Sequence, residues 1–141
     1  CMCTSNVKRR YVSAIPEPLL DRIDLFTTTN SFVSTDVQHK FVDLEKLANQ
    51  VKKATVIQQE RYKKSPLTSN GDLQSKNIQE YCPLTSPAHK LMEQYTETFQ
   101  LSARRYVILH RVARTIADLE NKEIIDENHV AETIQYCVKE K

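Results

Sequence analysis

Arginine is the residue type in this sequence whose placement most needs a chemical reason. In "LSARRYVILHRVARTIADLE" (101–120), Arg104 and Arg105 follow Ser102, which suits a helix N-cap. That puts both cations in the first turn, the end where the helix dipole disfavours positive charge by about 0.3–1 kcal/mol each. The free N–H groups of a first turn attract anions, so two arginines added there make a phosphate-shaped site. The alternative is that both are solvated surface residues. Further along, Arg104, Arg111 and Asp118 recur at heptad spacing and Arg114 lies close to that face. A solvated charged edge explains these equally well.

A second arginine stands in "PEPLLDRIDLF" (16–26). Leu19, Leu20, Ile23, Leu25 and Phe26 ask for a core, whereas Asp21, Arg22 and Asp24 do not. A buried guanidinium needs a carboxylate or a phosphate, because leaving it unpaired costs several kcal/mol. Either Asp21 or Asp24 neutralises Arg22, or Arg22 projects towards a neighbouring subunit's nucleotide.

Other chemistry is thin. Cys1-x-Cys3 is half of a zinc-type ligand set, and two thiolates without two more ligands hold no structural metal. Cys82 and Cys137 read as small core residues. His39, His89, His110 and His129 show no metal spacing and read as surface or capping groups. There is no G-x-x-x-x-G-K-[ST] phosphate loop, so the segment alone is expected to hydrolyse no ATP.

The bulk properties set the frame. The 141 residues carry 20 basic and 18 acidic side chains, a net charge of +2 that does not by itself argue for nucleic acid. This length suits one domain, or one and a small piece of a second. No apolar run approaches the roughly 20 residues of a membrane span, no signal-peptide pattern opens the chain, and the few cysteines suit a reducing cytoplasm. The chain opens on Cys1, and "CMCT" reads as cut from something longer.

The elements that must position these residues are mostly helical. Residues 4–14 predict a short helix with Val7 and Tyr11 on one face and Lys8, Arg9 and Arg10 on the other, a basic edge that suits DNA. Pro16 and Pro18 stop it. Residues 19–22 form at most one turn, and "RIDLFTTT" (22–29) reads as the one good strand, with no partner to complete its backbone bonds. The stretch 31–42 is a polar linker. From Asp43 a helix runs to about Lys64, burying Leu44, Leu47, Ala48, Val51, Ala54 and Ile57. Asn70-Gly71 signals a turn, and Ser75 caps a short helix to about Tyr81. Ser86 and Pro87 start the next, with Leu91, Met92, Tyr95 and Phe99 as its buried stripe. The helix of 103–120 buries Ile108, Leu109, Val112, Ile116 and Leu119. Asp126 caps the last, about 127–138, with Val130, Ala131, Ile134 and Val138 inside. The fold class is therefore mainly α, a helical bundle from 43 to 141.

"PLLDRIDL" (18–25), "YCPL" (81–84), "LSARRYVILHRVARTIADLE" (101–120) and "HVAETIQY" (129–136), with "CMCTSNVKRRY" (1–11), resemble the C-terminal part of the magnesium-chelatase-like ComM/YifB competence-protein family. The resemblance departs at Pro16-Glu17, where family members carry Ser-Gly. It implies a ring-forming AAA+ ATPase, typically a hexamer, that binds ATP and Mg²⁺ and acts on DNA in branch migration. Residues 1–30 would then be the last piece of the ATPase core and 43–141 its helical lid. Arg22 falls at the family's arginine finger, oriented by its flanking aspartates, and Arg104 at its sensor-2 arginine, with Arg105 beside it. Cys1 and Cys3 would be the surviving half of a metal knuckle. Two further readings remain open: a magnesium-chelatase subunit serving metal insertion into a tetrapyrrole, and a free-standing helical DNA-binding or interaction module.

Overall fold

The computed structural model describes residues 2–29 and 43–137. Seven α-helices lie among them: α1 (Ser5–Ser13), α2 (Glu17–Leu20), α3 (Leu44–Tyr62), α4 (Ile78–Tyr81), α5 (Ser86–Thr98), α6 (Ala103–Leu119) and α7 (Glu127–Cys137). Short 3₁₀ turns at Asn70–Asp72 and Ser75–Asn77 lead from α3 into α4. The fold is mainly α, as the apolar spacing predicts. The linker 31–42, Cys1, His39 and Val138 lie outside the described residues.

The helix starts are set by local chemistry. Asp43 caps α3 by accepting from the Lys46 N–H at 3.0 Å. Ser102 caps α6 by accepting from the Arg105 N–H at 3.2 Å. Asp126 Oδ1 accepts from the Asn128 and His129 N–H groups at the start of α7. At α5 the cap is Thr85, which accepts from the Ala88 N–H, and Ser86 is the first helical residue rather than the cap. Helix α6 ends where Asn121 takes a positive φ of 58° and the Lys122 N–H reaches back to the Ala117 carbonyl at 2.8 Å, a left-handed stop that suits Asn.

The core lies between α5, α6 and α7, closed by the end of α3 and the 66–84 segment. Ile108, Leu109, Ala113 and Ala117 of α6 pack with Met92, Ile125, Val130 and Leu73. Cys82 and Cys137 are buried in it, and burial pushes both thiols up to about 11. Among the described residues one parallel bridge, Leu84 to Ile125, ties the α4–α5 connection to the α6–α7 connection.

Several expected faces are corrected. Leu44, Leu47, Ala48 and Val51 are exposed, and α3 buries only Ala54 and Tyr62. The apolar stripe is there, but the first half of α3 runs past the bundle it packs on. Phe99, Leu119 and Ala131 are also exposed, and on α7 His129 and Thr133 are buried beside the expected Val130. Residues 22–29 form no strand. A strand needs a neighbour for its backbone groups, and here the Phe26 N–H instead donates to the Tyr136 carbonyl at 2.7 Å. The "PLLDRIDLF" segment is not buried either: Leu19, Ile23 and Leu25 are exposed, while Leu20 and Phe26 are half-buried.

Candidate functional site

The two arginine-bearing motifs meet at the N-terminus of α6. The 3.6-residue turn puts Arg104 and Arg105 on adjacent faces of the first turn, just past the Ser102 cap. The turn that follows α2 reaches that helix end. Arg105 Nη2 donates to the Leu20 carbonyl at 2.6 Å, and Arg105 Nε lies 3.4 Å from Asp21 Oδ1. Arg104 Nε donates to the Asp21 carbonyl at 3.2 Å. Ser102 Oγ, already accepting from the Arg105 N–H, donates to Asp21 Oδ1 at 3.3 Å. The Arg105 guanidinium also sits over the Phe26 ring, 5.4 Å from its centroid.

The electrostatics follow from this placement. The positive helix end, Ser102 and the Arg105 cation face the Asp21 carboxylate, while Arg104 takes the carbonyl of the same residue, so Asp21 supplies the negative group that this first turn favours. Arg105 is not a solvated surface residue: its side chain is 14% exposed, whereas Arg104 is exposed. One Arg105 donor, Nη1, is buried with no partner.

Arg22 differs from the expectation in one respect. It is exposed, and its Nη1 donates to the Pro18 carbonyl of its own turn at 3.1 Å. Neither aspartate holds it: Asp21 turns to Ser102 and Arg105 instead, because that helix end offers it more donors. Arg22 therefore lies one residue from the Arg104–Arg105 cluster with its head in solvent.

The far end of α6 holds the group that sequence spacing misread. Arg114 and Asp118 are 1% exposed, not a solvated edge. Asp118 accepts from Arg61 Nη1 at 2.8 Å, from Arg61 Nη2, from Arg114 Nε at 3.1 Å and from Asn70 Nδ2 at 2.9 Å. Arg114 Nη1 donates to the Glu123 carbonyl at 2.6 Å and Nη2 to that of Lys122, fixing the chain as it leaves the helix. Asn70 Oδ1 accepts from the Tyr62 hydroxyl at 2.8 Å. Burial, which favours the neutral phenol, pushes Tyr62 up to about 12. Arg111, on the same helix, donates through Nε to the Leu73 carbonyl at 2.9 Å. This network locks α3, the Asn70 turn and α6 together, and so fixes the direction in which the Arg104 end points. The Arg114–Asp118 spacing of four was the one local signal for it. The partners Arg61 and Asn70 gave none.

The histidines divide. His89 is exposed. His110 is buried, donates Nδ1–H to the Tyr106 carbonyl at 2.9 Å, and is held below its ordinary value by burial. His129 is buried and does cap: its Nδ1 accepts from the Asp126 N–H at 2.9 Å, which leaves Nε2–H to face Glu120 at 3.1 Å. Lys8, Arg9 and Arg10 line α1 on its exposed surface, and Val7 and Tyr11, expected to share a buried face, are exposed as well. Cys3 is exposed. Among the described residues no three His, Cys, Asp or Glu side chains converge as a metal site would need, and no helix is long and apolar enough to cross a membrane.

The comparisons with known proteins converge on one group. Residues 43–137 match the family model described as magnesium chelatase, subunit ChlI C-terminal. The chain is 31% identical over 134 residues to the uncharacterized protein YifB of Escherichia coli strain K12, covering 95% of this chain and 26% of that protein. It is 29% identical, with the same coverage, to YifB of Salmonella typhimurium. It is 31% identical over 130 residues to the competence protein ComM of Haemophilus influenzae, covering 90% of this chain and 25% of ComM. The chain thus spans about a quarter of the length of the curated relatives it matches.

Proposed function

The chain belongs to the magnesium chelatase subunit ChlI C-terminal family, and from that premise we propose that it serves a ring-forming AAA+ ATPase as helical lid and arginine donor. Arg104 binds a phosphate oxygen of ATP from the α6 N-terminus, and Arg105 supports it. Arg22 reaches the nucleotide of the next subunit in the ring, expected to be a hexamer, and offers its charge to the transferring phosphoryl group. Fingers of this kind are worth about 10³–10⁵ in rate. The observation that carries the reading is the meeting of Asp21, the neighbour of Arg22, with Ser102, Arg104 and Arg105, residues some eighty apart in sequence, at one positive helix end.

The donor set suits phosphate and not the metal. Guanidinium groups and helix N–H groups bind phosphate oxygens, whereas Mg²⁺ takes oxygen ligands, chiefly carboxylate and water. The described residues bring no three carboxylates together. ATP and Mg²⁺ together supply a neutralised, transferable phosphoryl group, and this reading gives the Mg²⁺ ligands to other parts of the ATPase. The similarity to a protein named for competence supports DNA as the polymer acted on, in the cytoplasm, with branch migration as the expected outcome and the α1 face of Lys8, Arg9 and Arg10 as a contact. The matched family's description supports the second reading, metal insertion into a tetrapyrrole.

The test is Arg22→Ala in a full-length polypeptide that carries this segment. Turnover should fall at least a hundredfold while ATP binding and melting temperature hold, because a group that acts in the transition state lowers kcat without a matching loss of binding. Mixing the variant into unaltered subunits should poison activity more than in proportion. Loss of binding and stability together would make Arg22 structural. Stimulation of turnover by branched DNA rather than by a porphyrin decides between the two substrates.

A further inference from the structure

We infer that Asp21 is a positioning residue that occupies Arg104 and Arg105 in place of a phosphate group, so that phosphate arriving at those arginines releases the segment carrying Arg22. The inference rests on the nucleotide role of Arg104 proposed above and adds a coupling that the role itself does not require.

Four donors from the start of α6 hold two adjacent residues. Ser102 Oγ and Arg105 Nε face Asp21 Oδ1, Arg104 Nε takes the Asp21 carbonyl, and Arg105 Nη2 takes the Leu20 carbonyl. The carboxylate fills this place incompletely. Only Oδ1 is engaged, and Arg105 Nη1 stays buried without an acceptor. A phosphate offers three oxygens and binds guanidinium in a bidentate way, so it satisfies the donor that Asp21 leaves over. Asp21 and phosphate cannot both hold this helix end, because each needs Ser102 Oγ, Arg105 Nε and the positive first turn.

Among the described residues little else fastens the segment. Leu19, Ile23 and Leu25 are exposed, and Arg22 bonds only to its own turn. Beyond the arginines, Phe26 is the main tie, through its N–H to Tyr136 and its ring beneath Arg105. Displacing Asp21 removes the contact that sets where Arg22 lies. Linkage makes the effect reciprocal: if phosphate expels Asp21, Asp21 must weaken phosphate by the same factor.

The experiment measures ATP binding to the full-length protein for the unaltered chain, Asp21→Asn, Asp21→Glu, Asp24→Asn and Arg104→Ala. Asp21→Asn keeps the shape and removes the charge, and it should tighten ATP by about two- to five-fold, the range of a partly exposed ion pair. Asp21→Glu should return affinity towards the unaltered value. Asp24→Asn, the same charge change three residues away, should leave it within experimental error. In the unaltered protein, hydrogen exchange at the Ile23 and Phe26 amides should speed up when ATP is added, a readout that needs no variant to fold. Unchanged affinity in Asp21→Asn, an equal gain in Asp24→Asn, or undiminished protection of those amides overturns the inference while leaving the Arg104 reading intact. If Arg104→Ala binds ATP as well as the unaltered protein, the nucleotide reading fails and the inference falls with it.

Discussion

The two ends of α6 each set arginines against one aspartate, and they differ in what surrounds the pair. At the C-terminal end Asp118 has no exposed side-chain surface, and its partners Arg61 and Arg114 are 17% and 1% exposed. At the N-terminal end Asp21 is 38% exposed and its carboxylate uses one oxygen. The first arrangement is fully bonded: every arm of Arg114 has a partner, and both oxygens of Asp118 are shared. The second leaves a donor over at Arg105 and an exposed cation at Arg104. A buried, satisfied ion cluster is costly to disturb and holds a geometry. A partly exposed, incompletely satisfied one exchanges partners at small cost. One helix therefore carries a fixed end and an adjustable end.

The largest expected effect is at the fixed end. Asp118→Ala leaves two guanidinium groups facing each other in the interior, and it should cost about 3–5 kcal/mol, read as a lower urea midpoint of the folded chain. An effect below about 1 kcal/mol, the scale of surface pairs, would erase the contrast.

Next comes Tyr62, on the edge of the same network. Tyr62→Phe removes its bond to Asn70 and should cost about 1 kcal/mol. Its pH dependence has a definite sign. The folded value of about 12 lies above the unfolded value of 10.0, so the native state binds the phenolic proton more tightly. That contribution is complete below pH 10 and is lost as pH rises through the folded value of about 12. Denaturation midpoints should therefore fall more steeply between pH 10 and 12 in the unaltered chain than in Tyr62→Phe. Parallel slopes would move Tyr62 out of the fixed end.

How much of this contrast is visible in the sequence follows from how local each cause is. The Ser102, Asp43 and Asp126 caps act over three residues, and they stand where side-chain chemistry puts them. The placement of Arg104 and Arg105 at a positive helix end is legible for the same reason. What occupies it is not, because nothing near 104 announces Asp21, which arrives from eighty-odd residues away. Arg114 and Asp118 look like a solvated edge because the partners that bury them, Arg61 and Asn70, sit 57 and 48 residues before Asp118. The period of α3 picks the right apolar face, yet period says nothing of where the covering surface stops, so Leu44, Leu47 and Val51 end exposed. The β-branched run after Arg22 has strand composition, but pairing needs a second strand that a propensity cannot supply.

The most direct measurement of the adjustable end is Arg104→Ala, with its denaturation midpoint and its ATP dissociation constant taken side by side. Arg104 is exposed and among the described residues its side chain bonds only the Asp21 carbonyl, in a first turn where its charge is unfavourable. Stability should shift by no more than about 0.5 kcal/mol, as for a surface substitution, while ATP binding by the full-length protein weakens about tenfold or more, as for loss of a charge-assisted bond. Unaltered ATP affinity, or a stability loss above about 2 kcal/mol, would make Arg104 a structural residue and contradict the phosphate role assigned to this end of the helix.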